Sequence, residues 1–324
     1  MKVELKKNLD VTCIGAALVD MVARVQRHPE EDDEVFVSNL EILSGGAAAN
    51  TAHACSRLGL KTAFIGKLGE DDEFGSKILN DFKRVNMDLS LIKYSTKHGT
   101  GSAYVALNKR GDRRIYAHSG AANHLSAEDI KSKEITRTRI TYLSSLKNLA
   151  PFIEAARISR QNDIPVILNP GMLIIDQGLT EITPLLKEVD VLILSQREFL
   201  TLLDLRKDEL KPQIIQAITQ KLFDLGLKVI IITMGAKGAL LFDGERTELV
   251  PTSKVKEVVD TTGAGDAFSA GFIRGFSQDL SYEFEPLRRN VKAGNFVAGK
   301  CVQVLGARNG LPTKKEMDEN LPLL

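Results

Sequence analysis

The chain has 324 residues and 43% hydrophobic content, enough for one large α/β domain or two smaller ones around a sizeable core. Its 43 Lys+Arg against 42 Asp+Glu leave a net charge of +1. With no basic stripe beyond the short Arg113-Arg114 pair, this argues against a nucleic-acid binder or a ligand of acidic membrane surfaces. The widely spaced Cys13, Cys55 and Cys301 match neither a disulfide scaffold nor a zinc site and fit a reducing cytoplasm.

The N-terminal MKVELKKNLDVTCIGAALVD has a basic start, but its apolar run is interrupted by Thr12 and Asp20 and reads as a buried strand, not a signal peptide. No apolar run approaches the roughly 20 residues of a membrane span. From there short apolar runs alternate with longer amphipathic ones, which predicts βα repeats and a mainly parallel sheet. The strands are expected in VTCIGAALV, TAFIGKLG, RITYLSS, PVILNP, DVLILS and KVIIITMG. The helices are expected in AANTAHACSRLG, EFGSKILNDFKRVN, APFIEAARISRQN, KPQIIQAITQKLFDLG, the segment after Gly265, and Glu285 to Val304. Two segments, at about 32–44 and 100–119, alternate apolar and polar residues with period two and read as half-exposed antiparallel strands. Such an inserted sheet suits a lid or a dimer clasp as well as a simple edge extension, within a single domain spanning 1–324.

The densest motif is TTGAGD, Thr261 to Asp266, before the periodic AFSAGFIRGF. Glycines at 263 and 265 permit positive φ and close backbone approach, and the following helix offers its positive end, so the turn reads as an anion hole. Asp266 at the helix mouth has two readings: a cap worth about 0.5–1 kcal/mol, or a general base beside a transferred phosphoryl group. GNFVAGKC, from Gly294, imitates a P-loop but carries Cys301 in place of Ser or Thr and follows no strand, so it reads as helix. Phe268 stands where a dinucleotide-binding turn needs its third glycine.

In LSGGAAANTAHACSRLG, Gly45-Gly46 is either a tight turn or a close approach for a polyol, with Asn50 offering a donor and an acceptor to its hydroxyls. Asp20 past the first strand is a turn residue or an acceptor for the same ligand. Glu198 after DVLILS sits where carboxylates cap helices or orient metal-bound water, and Thr233 and Gly235 stand at a strand end, where α/β sheets present ligands. His28, His53, His98, His118 and His124 show no metal spacing and read as surface or packing residues.

Together these segments resemble the ribokinase-like, or PfkB, family of carbohydrate kinases. DTTGAGDAFSAGF and SGGAAANTAHACSRLGLKTAFIGKLGEDDEFG are similar to its two signatures, and GAANHLS, VDVLILSQRE, ITMGAKGALLF and GARNGLPT extend the likeness over almost the whole chain. The resemblance implies an α/β three-layer sandwich with a small β lid and transfer of the ATP γ-phosphoryl group, with Mg²⁺, to a hydroxymethyl group of a sugar or nucleoside. It implies Asp266 as general base, with the amides of Gly263, Ala264, Gly265 and Asp266 as anion hole. Asp20, Gly45, Gly46 and Asn50 match sugar contacts, and Thr233, Gly235 and Gly238 the nucleotide loop. Asn295 would lie near the purine, while Asp260 and Gly306 would lie near a monovalent cation such as K⁺.

Two positions depart from the family. Ser195 replaces the asparagine of an Asn-x-x-Glu motif that organises Mg²⁺-bound water, although Glu198 remains, and this motivates a rival reading as a catalytically weak nucleotide or sugar sensor. Ala47 stands where bacterial ribokinases carry lysine, and with NPG at Asn169 to Gly171 it resembles archaeal nucleoside kinases of the family. Phe36, Tyr104 and Tyr116 are the aromatic lid candidates for closing over a ligand, and an apolar lid face would pair two chains into a homodimer.

Overall fold

The computed structural model describes residues 7–110, 112–205, 219–252 and 255–321, all but the side chain of Arg113 among them. From the N-terminus run strands β1 (Leu9–Gly15), β2 (Leu18–Val25) and β3 (Val37–Gly45), helix α1 (Ala47–Arg57), strands β4 (Thr62–Ile65) and β5 (Lys67–Gly69), and helix α2 (Glu73–Arg84). Strands β6 (Lys93–Ser95), β7 (Thr100–Leu107) and β8 (Arg113–Gly120) follow, then α3 (Ser132–Ile135), β9 (Thr138–Ser144), α4 (Ala150–Arg160), β10 (Val166–Asn169), α5 (Met172–Ile175) and α6 (Leu179–Leu186). The remainder comprises β11 (Val191–Ser195), α7 (Gln196–Leu202), β12 (Val229–Thr233), β13 (Ala239–Phe242), β14 (Thr247–Val250), and the helices Ala264–Phe276, Phe284–Cys301 and Lys314–Asn320.

Eight strands form one sheet in the order β14-β13-β12-β11-β10-β9-β1-β4. It is parallel from β4 through β12, and β13 and β14 turn back antiparallel. The reason lies in the strand sequences. Val191, Ile193, Val229 and Ile231 pack into one buried cluster with α1 and the Ala264 and Phe284 helices, while Leu192, Leu194, Ile230 and Ile232 pack into another with α4, α6 and α7. A strand buried on both faces reads as a continuous apolar run, and covering both faces with helices gives the expected α/β three-layer sandwich. No helix among the described residues is long and apolar enough to cross a membrane.

The lid is a separate four-stranded sheet, β3-β2-β7-β8. Three expectations change here. The run VTCIGAALV is not one strand: β1 ends at Gly15, and Leu18 already belongs to the lid, so Asp20 is a lid residue. The lid is also not wholly antiparallel, because β2 pairs with β7 in parallel while β3 and β8 pair antiparallel on either side. Finally, the register places Ile42, Met21, Tyr104 and Tyr116 in one row across the four strands, and Leu43, Asp20, Ala103 and Ala117 in the next. Successive residues of a strand face opposite ways, so Tyr104 and Tyr116 stand on the face turned away from Asp20.

The P-loop imitation Gly294–Cys301 lies wholly inside the Phe284–Cys301 helix, so its backbone amides are committed to helical bonds. Half of the helix expected over KPQIIQAITQKLFDLG, 211–218, lies outside the described residues; of the rest, 219–223 is helical and 224–226 is a turn.

Candidate active site

The C-terminal ends of the parallel strands come together at one edge of the sheet. Gly15 pairs with Ser144, Ser144 with Asn169, and Ser195 with Thr233, which puts five polar or glycine strand ends in a row where α/β sheets bind ligands. Above the edge the inner lid face encloses a cleft of about 440 Å³ lined by Asp20, Val22, Leu43, Val105 and Ile115 on one side and Thr261, Thr262, Gly306 and Ala307 on the other.

Thr261 and Thr262 of the TTGAGD turn line that cleft. Gly263 is the N-cap of the Ala264–Phe276 helix with φ 76°, and a Cβ there would lie 2.4 Å from Cβ of Ala307. Both backbone and packing therefore demand glycine. Gly265 is the opposite case: a Cβ would meet nothing within 4 Å, so a side chain there would point into open space. The Ala264 amide donates to Thr261 O at 3.2 Å, and the first helical bond runs from Ala267 N to Gly263 O. The amides of Gly263, Gly265 and Asp266 are left as donors without a protein acceptor among the described residues, three of the four amides expected for the anion hole.

Asp266, on the same turn, accepts a 2.9 Å hydrogen bond from Asn50 Nδ2. Asp266 is half-buried, and the protein around its carboxyl replaces most of the bulk solvent. Burial raises its carboxyl to about 7, the Asn50 bond and the Arg308 charge oppose the rise, and the charges of Glu198 and Asp20 add to it. A carboxylate that ionises near neutrality is suited to accept a proton there, which a cap alone does not require.

On the acceptor side, Asp20 packs against Gly45, where a Cβ would fall 2.1 Å from Oδ2 of Asp20, so only glycine leaves room for the carboxylate. Burial lifts Asp20 to about 6 against the pull of Arg308. Gly46, at φ 93°, starts α1 and so aims Asn50 at Asp266. Asn50 does not offer both amide groups freely to a ligand: its Oδ1 accepts from Arg308 Nε at 2.9 Å. Arg308 was not singled out from the sequence, nor was Asp81, which accepts from Ser44 Oγ at 2.6 Å. Nothing in GARNGLPT signals that the arginine folds back to a residue 258 positions earlier. His53 is held neutral by burial and the nearby Arg308, with its pKa lowered to about 3.

Where the nucleotide loop is expected, Ser195 and Thr233 are paired neighbours, Gly235 opens the turn Gly235–Lys237, and Gly238 closes it before β13. Ser195 is the N-cap of α7 in a capping box: its Oγ accepts from Glu198 N at 3.2 Å, while Glu198 Oε2 accepts from Ser195 N at 2.7 Å. Serine thus replaces asparagine without loosening the glutamate. Asn295, expected near the purine, has its side-chain amide engaged by the protein. It is buried in the Phe284 helix and donates from Nδ2 to Val250 O at 3.0 Å and Pro251 O at 3.3 Å, fastening the end of β14.

Asp260 and Gly306 do meet, but through a hydrogen bond. Asp260 Oδ2 accepts from Gly306 N at 2.9 Å and Oδ1 accepts from Thr262 N and Oγ1 at 2.9 and 2.7 Å. With N–H and O–H donors on both oxygens, the carboxylate braces the Gly306 loop against the anion-hole turn. The Cys301 thiol lies under the same junction, 3.8 Å from Thr262 O and 3.5 Å from Ala307 O. No cluster of three or more His, Cys, Asp or Glu able to hold a metal occurs among the described residues.

The pfkB family carbohydrate kinase profile matches residues 8–314. A bifunctional ribokinase/ribose-5-phosphate isomerase A from Fructilactobacillus sanfranciscensis is 30% identical over 311 residues, 94% of this chain; the chain spans 55% of that longer protein. An Arabidopsis thaliana ribokinase, solved with ribose and ATP, superposes with a TM-score of 0.82 at 28% identity over 97% of this chain and 98% of its own. The Methanocaldococcus jannaschii nucleoside kinase superposes at 0.80 over 98% of this chain and 100% of its own; at 22% identity this shows the shared fold. With a lidded cleft, a glycine anion turn and a carboxylate at its helix mouth, and with a family match over nearly its full length, the chain belongs to the pfkB family of carbohydrate kinases and is an ATP-dependent carbohydrate or nucleoside kinase.

Proposed function

We propose that the chain transfers the γ-phosphoryl group of ATP to a hydroxymethyl group of a neutral sugar or nucleoside, with Asp266 as general base. The observation that carries this reading is the placement of Asp266: its carboxyl, raised to about 7 by burial, stands on the helix turn whose Gly265 and Asp266 amides lack protein acceptors. The acceptor hydroxyl gives its proton to Asp266 as its oxygen attacks, and the amides and the helix end stabilise charge on the transferring group. Asp20 accepts from the acceptor's other hydroxyls, and lid closure excludes water that would otherwise hydrolyse ATP.

Mg²⁺ bound to the outer phosphates would neutralise their charge. Glu198 fits such an ion through a metal-bound water, because the capping box engages Oε2 and leaves Oε1 without a hydrogen-bond partner among the described residues. Ser195, Thr233, Gly235 and Gly238 line the nucleotide side. The outer lid row, with Ile42 46% and Tyr116 67% exposed, is the surface through which two chains pair. All three cysteines are buried free thiols, consistent with a reducing cytoplasm.

The test is phosphoryl transfer from Mg·ATP across pentoses, hexoses, their phosphates and nucleosides, with products identified by mass spectrometry. A monophosphate formed on a hydroxymethyl group of a neutral acceptor is expected. Tight ligand binding with no product on any acceptor would replace this reading with that of a sensor.

A further inference from the structure

Arg308 carries a guanidinium whose Nη1 and Nη2 are both buried without a hydrogen-bond partner. Its third nitrogen fixes it in place: Nε donates to Asn50 Oδ1 at 2.9 Å, and Asn50 Nδ2 donates to Asp266 at 2.9 Å. Phe82 lies under the guanidinium with its ring centre 5.7 Å from Cζ. The carboxylates of Asp81, Asp266 and Asp20 act on the guanidinium through their fields, and none of them satisfies its terminal nitrogens.

Burying charged donors without acceptors is costly, so this fork is poorly explained as a device for folding. It lies next to Ala307 of the cleft lining, one amide away from Asp266 and within the field of Asp20. Asn50, the other polar group there, already has its Oδ1 and Nδ2 engaged by protein partners. A guanidinium fork is spaced to donate to two neighbouring oxygens. The surrounding charge selects their kind: one cation faces three carboxylates, so a phosphate or carboxylate on the ligand would meet net repulsion, while hydroxyls can accept from the arginine and donate to Asp20.

We propose that Arg308 is an acceptor-binding residue, its Nη1 and Nη2 donating to two neighbouring oxygens of a neutral polyol whose hydroxyls in turn donate to Asp20. This rests on the kinase reading above.

The experiment compares wild type with Arg308→Met and Arg308→Lys, using D-ribose, D-fructose and adenosine, their single-deoxy analogues, and D-gluconate as an anionic probe. For whichever neutral probe wild type phosphorylates, Arg308→Met should raise the acceptor KM about 10–100-fold, the loss of hydrogen bonds to a charged group, and leave the ATP KM within about threefold. One deoxy analogue should bind less tightly than its parent to wild type but as tightly as its parent to Arg308→Met; a merely structural role would not erase that difference. Arg308→Lys keeps the buried charge and carries the same comparison if the methionine variant does not fold. Unchanged acceptor KM and an unchanged deoxy pattern in a folded variant would overturn the proposal while leaving the kinase reading intact, as would preference for D-gluconate. Absence of any phosphorylated product from wild type would overturn the kinase reading and the proposal with it.

Discussion

Replacing Asp266 with asparagine should stabilise the protein, and the gain should depend on pH. The carboxyl titrates at about 7 in the folded protein, because burial, Glu198 and Asp20 disfavour its charge more than Asn50 and Arg308 favour it. In the unfolded chain an aspartate titrates near 3.9. The folded state therefore holds this proton more tightly, so the stabilisation it gives is complete below pH 4 and is lost as the pH rises through 7. Above that, the ionised carboxylate opposes folding. At 1.36 kcal/mol per pKa unit the penalty is at most about 4 kcal/mol, and solvent at this half-buried residue reduces it to about 2 kcal/mol. Asparagine has the same shape and no charge, so Asp266→Asn should be nearly neutral at pH 4.5 and raise the melting temperature by about 4 °C at pH 8. Thermal melts of both proteins across that range check this. A shift independent of pH, or a loss of stability at pH 8, would refute the buried-carboxylate reasoning.

The two glycines of the anion turn should respond oppositely. Gly263→Ala meets both a left-handed backbone and the Ala307 methyl, and should cost about 2–4 kcal/mol in a urea melt; Gly265→Ala, with open space around it, should fold normally and slow phosphoryl transfer by intruding on the anion. Sedimentation at micromolar concentration should show a dimer that Ile42→Glu converts to monomer, since that side chain is 46% exposed in the outer lid row; a wild-type monomer would contradict the lid interface.

The central strands were legible because they are buried on both faces: DVLILS ended where the structure ends it, at Ser195, while KVIIITMG ran two residues past the end of its strand at Thr233. The break between β1 and β2 was not, since Ala16 and Ala17 continue the apolar run across the step from one sheet to the other. Period two showed that β7 and β8 have two faces, but which face meets the cleft depends on how the lid hinges on the core, and Val105 and Ile115 line it instead of Tyr104 and Tyr116. In the site, Asp266 and its turn are local in sequence and were readable. Arg308 belongs to the site only because the C-terminal loop folds back under α1, and the engagement of Asn295 by backbone carbonyls likewise exists only after folding.

The most direct test of Asp266 as general base is the single-turnover rate of phosphoryl transfer by Asp266→Asn, with saturating Mg·ATP and the acceptor found in the panel. Loss of a base should lower the rate about 10²–10⁴-fold while leaving ATP affinity nearly unchanged. A folded Asp266→Asn that transfers within a few-fold of the wild-type rate would contradict it.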